Sequence, residues 1–583
     1  MLRRSLIPPF LALLAVPLLL GGCAAAQTSV PAPLPAAPPA ARPVYDRGMV
    51  SAADPRAAEA GADMLRQGGS ATDAAIATML ALSVVEPQSS GIGGGGFFVR
   101  GTPTGEVETI DGRETAPMAA TPDWFLDAQG NPLPFRQAVV SGLSVGVPGN
   151  LALAAEAHRR FGKLPWAELF RPAIRLARDG WAVTARLHTA LDRSRDSAMH
   201  DPLARALFFD ASGAPVPVGT LVRNPAMAET LEEIAAKGAD AFYRGKLATA
   251  LAAKVRGETP HPQGMTAQDI AAYRAKSRPA VCGSYRAYRI CGMGPPSSGT
   301  TTVLAILGQL RHFDLAALGP GSPVAWHLFA ESQRLAYADR ESYLADSDFV
   351  AVPVSGLIDP TYLATRGALI RTDSTLAEVQ AGTPHEVTAT PPDGDEPEEH
   401  GTSHFVAIDS AGNAVSYTST IESAFGSGIV VGGFFLNNEL TDFSLAPEKD
   451  GQPVANRIEG GKRPRSSMAP MLVYAPDGKL LLAVGAAGGA TIPVQVVKAL
   501  IGVIDFRLPI SDALALPVLF SPGDTVMVEP GTALEAMIPR LRALGHKQIV
   551  IREMPLKANA IAVMDGRLSG AADPRSEGRA ISQ

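Results

Sequence analysis

Thr402 and Thr420 sit at the two ends of one strand–turn–strand segment. Strand-like stretches at 404–408 and 414–421 flank Asp409-Ser410-Ala411-Gly412-Asn413, a run of turn formers. A hairpin symmetric about Ala411 sets Thr402 across the ladder from Thr420, with the two hydroxyls side by side. A threonine hydroxyl is a weak nucleophile until a base takes its proton. An N-terminal threonine carries its own base, a free α-amine with an ordinary pKa of ~7.7–8.0. That amine exists only if the chain is cut before Thr402. Gly401 precedes it, and glycine permits the backbone strain that self-cleavage would use. Nucleophilic attack by a threonine hydroxyl that carries its own base is the chemistry this spacing would serve. On spacing alone, two ordinary strand threonines are the simpler account.

Several elements must position this pair. Residues 71–85 are almost wholly apolar or small and predict a helix buried on most sides, ending at Glu86-Pro87. Further helices are expected over 151–160, 165–178, 226–237 and 325–345. In the last of these, Glu331, Arg334, Asp339 and Arg340 are read as charges laced across an exposed face. Residues 379–400 lose all periodicity, and Asp393, Asp395, Glu396, Glu398 and Glu399 make the end of that stretch a solvated segment. Strand-like runs follow at 404–408, 414–421, 471–474 and 480–484. Helices early, with strands both early and late, predict α+β layers.

Two motifs imitate other chemistries. Gly91 to Gly96 fits a dinucleotide fingerprint, but that motif needs a strand before it and a helix after it, and here the order is reversed. A glycine run for close backbone passage is the better account. Gly142-Leu143-Ser144-Val145-Gly146 fits a nucleophile elbow, but Pro148 and Gly149 interrupt the helix that must follow the serine directly. It reads as a loop.

The chain has 583 residues, 46% of them apolar and 19% charged, which excludes wholesale disorder. Length alone suggests roughly four domains at about 150 residues each. A net charge of -6 with no basic run argues against nucleic-acid binding. Arg3 and Arg4, then an apolar run over 6–20, then Leu20-Gly21-Gly22-Cys23, read as an export signal. The run is too short for a membrane span, and Leu-Gly-Gly-Cys resembles the bacterial lipoprotein box, in which the cysteine is lipidated. Residues 24–43 read as an Ala/Pro-rich tether. The expected location is the periplasm, with a lipid anchor in a bacterial membrane. Three cysteines are too few for a disulfide scaffold. A hairpin centred between Arg286 and Ala287 would place Cys282 opposite Cys291, so a structural disulfide is expected there, although Arg-Ala is not a favoured turn.

From residue 49 to 580 the chain resembles the γ-glutamyltransferase family, through many blocks in one order. Asp73-Ala74-Ala75-Ile76-Ala77, Val84-Val85-Glu86-Pro87 and Gly91-Ile92-Gly93-Gly94-Gly95 carry the first block, and Asp111-Gly112-Arg113-Glu114-Thr115-Ala116-Pro117 the second. Gly146-Val147-Pro148-Gly149, Pro295-Pro296-Ser297-Ser298-Gly299 and Ala336-Tyr337-Ala338-Asp339-Arg340 follow. Thr402-Ser403-His404 stands where the family has Thr-Thr-His. Asn437-Asn438-Glu439, Asp442-Phe443-Ser444, Arg463-Pro464-Arg465-Ser466-Ser467-Met468 and Gly570-Ala571-Ala572-Asp573-Pro574-Arg575 complete the series.

The resemblance implies a four-layer αββα N-terminal nucleophile hydrolase sandwich, formed jointly by two chains after self-cleavage. A large subunit (44–401) and a small catalytic subunit (402–583) would result from the cut between Gly401 and Thr402. Thr402 would be the processing and then the catalytic nucleophile, with Thr420 hydrogen-bonded to it. Gly488 and Gly489 would supply oxyanion N–H groups. Arg113 would bind the substrate α-carboxylate, assisted by Ser466 and Ser467, while Glu422, Glu439 and Asp442 would face the α-ammonium. No metal or organic cofactor is called for. The implied activity is cleavage of γ-glutamyl amides such as glutathione, with transfer to water, an amino acid or a peptide.

Some features depart from the family pattern. Gly485-Ala486-Ala487-Gly488-Gly489 replaces Gly-Ser-Pro-Gly-Gly, and Glu422 and Glu439 are acidic where some members carry an amide. The stretch 444–462 is short for the lid of some members and lacks tyrosine, which implies an open pocket. The alternatives are a glutaryl acylase of the cephalosporin type, or an unprocessed lipoprotein that only binds γ-glutamyl ligands.

Overall fold

Helix Ala71–Val85 begins on a capping box: Ser70 Oγ accepts the Asp73 N–H, and the Asp73 carboxylate accepts the Ser70 N–H. All of its residues are buried, as the sequence predicts. A helix apolar all round must be covered on every side. Helices Pro55–Arg66, Asn150–Phe161 and Trp166–Asp179 cover it on one side, and a seven-stranded sheet covers it on the other.

This is a computed structural model, and it describes residues 44–583 apart from 261–262, 386, 388–391 and 393–400. The expected leader, Cys23, the tether and most of the acidic segment lie outside the described residues. The first sheet runs Arg579–Ser582, Met49–Ala52, Ser403–Ile408, Ala414–Thr420, Gly95–Gly101, Val107–Gly112, Lys276–Arg278. The second runs Arg567–Ala572, Lys557–Met564, Leu480–Ala487, Met471–Tyr474, Tyr288–Gly292, Val281–Tyr285. The two sheets face each other, with strand Ser403–Ile408 against Leu480–Ala487 and Lys557–Met564. Helices Gly299–Leu310 and Ile492–Ile504 cover the outer face of the second sheet.

The strand pleat decides which residues face which layer. Phe405 and Ala407 pack into the core on the helix side, whereas Val406 and Ile408 pack into the core shared with the second sheet. The described residues from 44 to 583 form one compact unit, so the length-based figure of four domains is wrong. The sheets share strands from distant parts of the chain, and no segment can bury its apolar face alone.

Helices over 150–161, 166–179 and 225–237 fall where the periodicity predicts. Helix Pro323–Tyr343 corrects one expectation: Glu331, Arg334, Asp339 and Arg340 are all buried. Glu331 pairs with Arg334 at 2.9 Å and accepts the Leu376 N–H at 2.7 Å. Asp339 pairs with Arg366 at 3.2 Å and accepts from the Tyr362 hydroxyl at 2.8 Å. Arg340 donates to Ser298 and Ser467. The helix is covered by helices Gly299–Leu310 and Ala533–Ala543, so these charges tie it to its neighbours instead of solvating it. Cys282 and Cys291 are bonded and directly opposed, with Cα atoms 4.1 Å apart. The turn between their strands puts Arg286 at φ +53°, the left-handed geometry that Arg-Ala disfavours.

Candidate active site

Hairpin Ser403–Ile408/Ala414–Thr420 pairs Ser403 with Ser419 and His404 with Thr418, the register expected for a centre at Ala411. The turn closes through Gly412 at φ +83° and through Asp409 Oδ1, which accepts the Asn413 N–H. Extending the ladder by one residue brings Thr402 to Thr420, and the Thr402 hydroxyl donates to Thr420 Oγ1 at 3.1 Å. Thr420 Oγ1 also accepts the Glu422 N–H at 2.8 Å. The Thr402 N–H donates to the Ser89 carbonyl at 2.9 Å.

The Gly401–Thr402 junction is tight and strained. A Cβ on Gly401 would stand 1.9 Å from the Glu422 carbonyl oxygen, so only glycine fits. Thr402 holds φ at +129°, a region a β-branched residue avoids. Such a conformation costs about 1–3 kcal/mol and persists only where its surroundings enforce it. Here Thr420, Ser89 and Glu422 do so.

Both imitation motifs serve this junction as backbone packing. Gly94 lies so close to strand Ala414–Thr420 that a Cβ would meet the Thr420 carbonyl at 2.0 Å. Asn437 Nδ2 donates to the Gly93 and Gly146 carbonyls at 2.8 and 2.9 Å, and Asn150 Nδ2 donates to the Gly91 carbonyl at 2.7 Å. The Ser144 hydroxyl is buried and donates to the Val139 and Ser141 carbonyls, and Ser144 ends a single 3-10 turn, Gly142–Ser144, where a loop is expected.

Around the junction the structure gathers the other candidates. Arg113 is buried, with its guanidinium against Glu439 and Asp442. It also donates to the carbonyls of Pro464 and Arg465, at 3.2 and 2.8 Å. Glu439 and Asp442, expected near an ammonium, thus hold the arginine. Burial also pushes the neighbouring Glu114 carboxyl above its usual range, against the pull of Arg113. Glu422 is buried, accepts from Ser423 Oγ at 2.5 Å and bonds Asn438. Ser466 Oγ accepts the Met468 N–H at 3.2 Å, and Ser467 Oγ accepts from Arg340 at 2.7 Å. Gly488 and Gly489, after strand Leu480–Ala487, take φ of +130° and +58°. A Cβ on Gly488 would stand 2.0 Å from the Pro555 carbonyl oxygen. The short stretch after Ser444 folds as a small hairpin, Glu448–Lys449 with Gln452–Pro453.

Sequence reasoning passed over several residues. His404 donates to or accepts from Thr418 Oγ1 at 2.8 Å, and burial lowers its pKa to about 3, so it stands as a neutral brace against Gly485. Ser89, Ser403, Glu86 and Lys557 form a buried polar group beside Thr402. Glu86 stood inside a quoted block, whereas Lys557 carries no local signal. A cleft of ≈ 940 Å³ opens at this end, lined among others by Gln88, Ser89, Arg186, Ser423 and Pro555.

Two facing sheets between helical layers, with a strand that starts at a strained Gly-Thr junction, give the architecture of the N-terminal nucleophile hydrolases. The gamma-glutamyltranspeptidase family pattern matches residues 57–583. Glutathione hydrolase proenzymes of Bacillus subtilis (strain 168) and Escherichia coli (strain K12) are 37% and 35% identical over 546 and 591 residues. These matches cover 92% and 98% of this chain, and 91% and 98% of the relatives. The crystal structure of a cephalosporin acylase from Bacillus halodurans aligns with TM-score 0.80 and 29% identity, over 92% of this chain and 96% of that one. The chain belongs to the gamma-glutamyltranspeptidase family.

Proposed function

We propose that this protein is a self-processing γ-glutamyltransferase and hydrolase that uses Thr402 as nucleophile on glutathione and related γ-glutamyl compounds. The observation that carries the reading is the strained Gly401–Thr402 link, with the Thr402 hydroxyl on Thr420 and its nitrogen on the Ser89 carbonyl. In processing, Thr402 Oγ1 attacks the Gly401 carbonyl carbon, the Gly401–Thr402 C–N bond breaks, and water hydrolyses the resulting ester. The product is a free amine on Thr402. Thr420 orients the hydroxyl in this step.

In turnover the same amine takes the Thr402 hydroxyl proton as Oγ1 attacks the substrate γ-carbonyl. N–H groups of Gly488 and Gly489 receive the oxyanion, and glycine at both positions lets the backbone come close. The amine returns its proton to the leaving nitrogen, and a γ-glutamyl ester remains on Thr402. Water releases glutamate, or an amino acid or peptide amine takes the acyl group. Arg113, with Ser466 and Ser467, receives the α-carboxylate, and Glu422 receives the ammonium together with Glu439 and Asp442, which also brace Arg113.

A second reading, glutaryl acylase, draws on the likeness to the cephalosporin acylase. A glutaryl group has no ammonium, so three carboxylates at the head group would gain nothing from it. Release of p-nitroaniline should therefore be at least about tenfold faster from the γ-glutamyl than from the glutaryl anilide, since a site built for a polar group rejects its absence. The reverse order would move the chain to the acylase reading.

We also propose export and lipidation at Cys23, from the basic start, apolar run and Leu-Gly-Gly-Cys box. Intact mass of the large subunit from a bacterial host should give a chain that starts at a lipid-bearing Cys23. A large subunit that retains residues 1–22, or ends without lipid, removes the anchor.

A further inference from the structure

Lys557 is a buried cation that no step of the reaction above uses. It opens strand Lys557–Met564 and pairs across the ladder with Ala487, the residue before Gly488. Its Nζ donates to Glu86 Oε2 at 3.0 Å, to Ser89 Oγ at 3.2 Å and to Ser403 Oγ at 3.2 Å. Ser403 Oγ donates to the same Glu86 oxygen at 2.6 Å. Ser89 is the residue whose carbonyl holds the Thr402 nitrogen, and Ser403 follows Thr402 in the chain. On its other side, the Lys557 N–H donates to Gln495 Oε1 at 3.2 Å, and Gln495 Nε2 donates to the Ala487 carbonyl at 2.8 Å. One residue thus joins the nucleophile's neighbours, through its side chain, to the turn that carries the oxyanion glycines, through its backbone N–H.

The charges facing this point can be named. Glu86 caps helix Ala71–Val85 and is buried. Arg186 approaches it from a more exposed position, Nε at 4.0 Å from Oε1. Asp54 acts on Lys557 from farther off and is itself paired with Arg56. Glu422 lies across the junction and is held by Ser423 and Asn438. Glu86 is the carboxylate that shares hydrogen-bonded neighbours with Thr402. A buried carboxylate with no counterion would favour the ammonium form of any amine nearby, and an ammonium cannot take the Thr402 proton.

We propose that Lys557 is a positioning residue for Thr402: its ammonium neutralises Glu86 and fixes Ser89 and Ser403 on either side of the nucleophile, which keeps the α-amine released by cleavage a free base at neutral pH. This rests on the reading of Thr402 as the nucleophile. Burial pulls the Lys557 pKa to about 8 against Glu86, while Lys557, Arg186 and Ser403 hold the Glu86 carboxyl below its usual range despite its own burial. The sign of the pair's effect on Thr402 therefore depends on both members being present.

The test is the acid limb of the kcat/KM–pH profile on γ-glutamyl-p-nitroanilide, measured on mature two-chain enzyme. Lys557→Met leaves Glu86 only the longer, more exposed contact with Arg186 and should move the limb upward by about one unit or more, the size expected for a charge close by. The loss is then at least about tenfold greater on the limb than on the plateau. Glu86→Gln/Lys557→Met removes both charges and should return the limb to the wild-type position. Lys557→Arg keeps the cation and should leave the limb in place even if the plateau falls. A uniform fall in Lys557→Met with no shift of the limb would reduce Lys557 to a packing role, and so would an equal shift in the double variant. Should Lys557→Met fail to mature, the double variant decides: maturation with a wild-type limb supports neutralisation, and failure of both overturns it. N-terminal sequencing of the wild-type small chain separates this result from the fate of the Thr402 reading, because only the latter fails if no chain begins at Thr402.

Discussion

Thr402→Ala should leave the chain in one piece and without γ-glutamyl turnover. The wild type should give two bands on a denaturing gel, and Edman sequencing of the smaller should read Thr-Ser-His-Phe. The alanine variant has no oxygen to attack the Gly401 carbonyl, so no amine is released and no base exists. Loss of nucleophile and general base together removes at least about 10⁴-fold of the rate, the upper range for the acid–base contribution alone. Thr402→Ser keeps the hydroxyl and should still mature. A single full-length band in both wild type and Thr402→Ala would instead favour an uncleaved ligand-binding protein, with the strain at Thr402 unspent.

Arg113→Met should cost about 10²–10³-fold in kcat/KM on a γ-glutamyl anilide. Truncating one partner of a buried, hydrogen-bonded charge pair costs about 2–5 kcal/mol in recognition, much of it the penalty of the charge left unpaired. Here two partners are left, Glu439 and Asp442, beside Glu114, whose carboxyl burial already pushes above its usual range. A specific readout separates substrate binding from bracing. The 4-aminobutyryl anilide lacks the α-carboxylate but keeps the amine. Wild-type preference for γ-glutamyl over 4-aminobutyryl should collapse in Arg113→Met if the guanidinium receives the carboxylate. If the preference survives while both rates fall, Arg113 acts through Glu439 and Asp442 alone. Arg113→Lys keeps a charge but not the planar fork, so it should recover part of the rate at most.

The hairpin around Ala411 was legible because a polar turn and two strand-like runs determine register locally. Thr402 and Thr420 followed from counting alone, and the Cys282–Cys291 pair followed in the same way. The glycine motifs could be set aside because element order is a local property. Arg113, Glu439 and Asp442 came from resemblance, and nothing in their own neighbourhoods predicts that they bond one another. Glu331, Arg334, Asp339 and Arg340 were misplaced because a charged stripe looks the same facing water or facing buried partners. Lys557 was invisible for a different reason. Its partner Glu86 lies 471 residues away, and neither residue belongs to a pattern that spacing can reveal.

In the first sheet, strand Met49–Ala52 lies between Ser403–Ile408 and Arg579–Ser582. In the second, Tyr288–Gly292 hydrogen-bonds to Met471–Tyr474. A cut before Thr402 therefore yields two polypeptides that are braided, neither of which owns a complete sheet. If the chain is cut as proposed, maturation is a one-way passage: the intact precursor can thread this weave from a single strand of information, but two separated products would each present raw edges to the solvent and to one another.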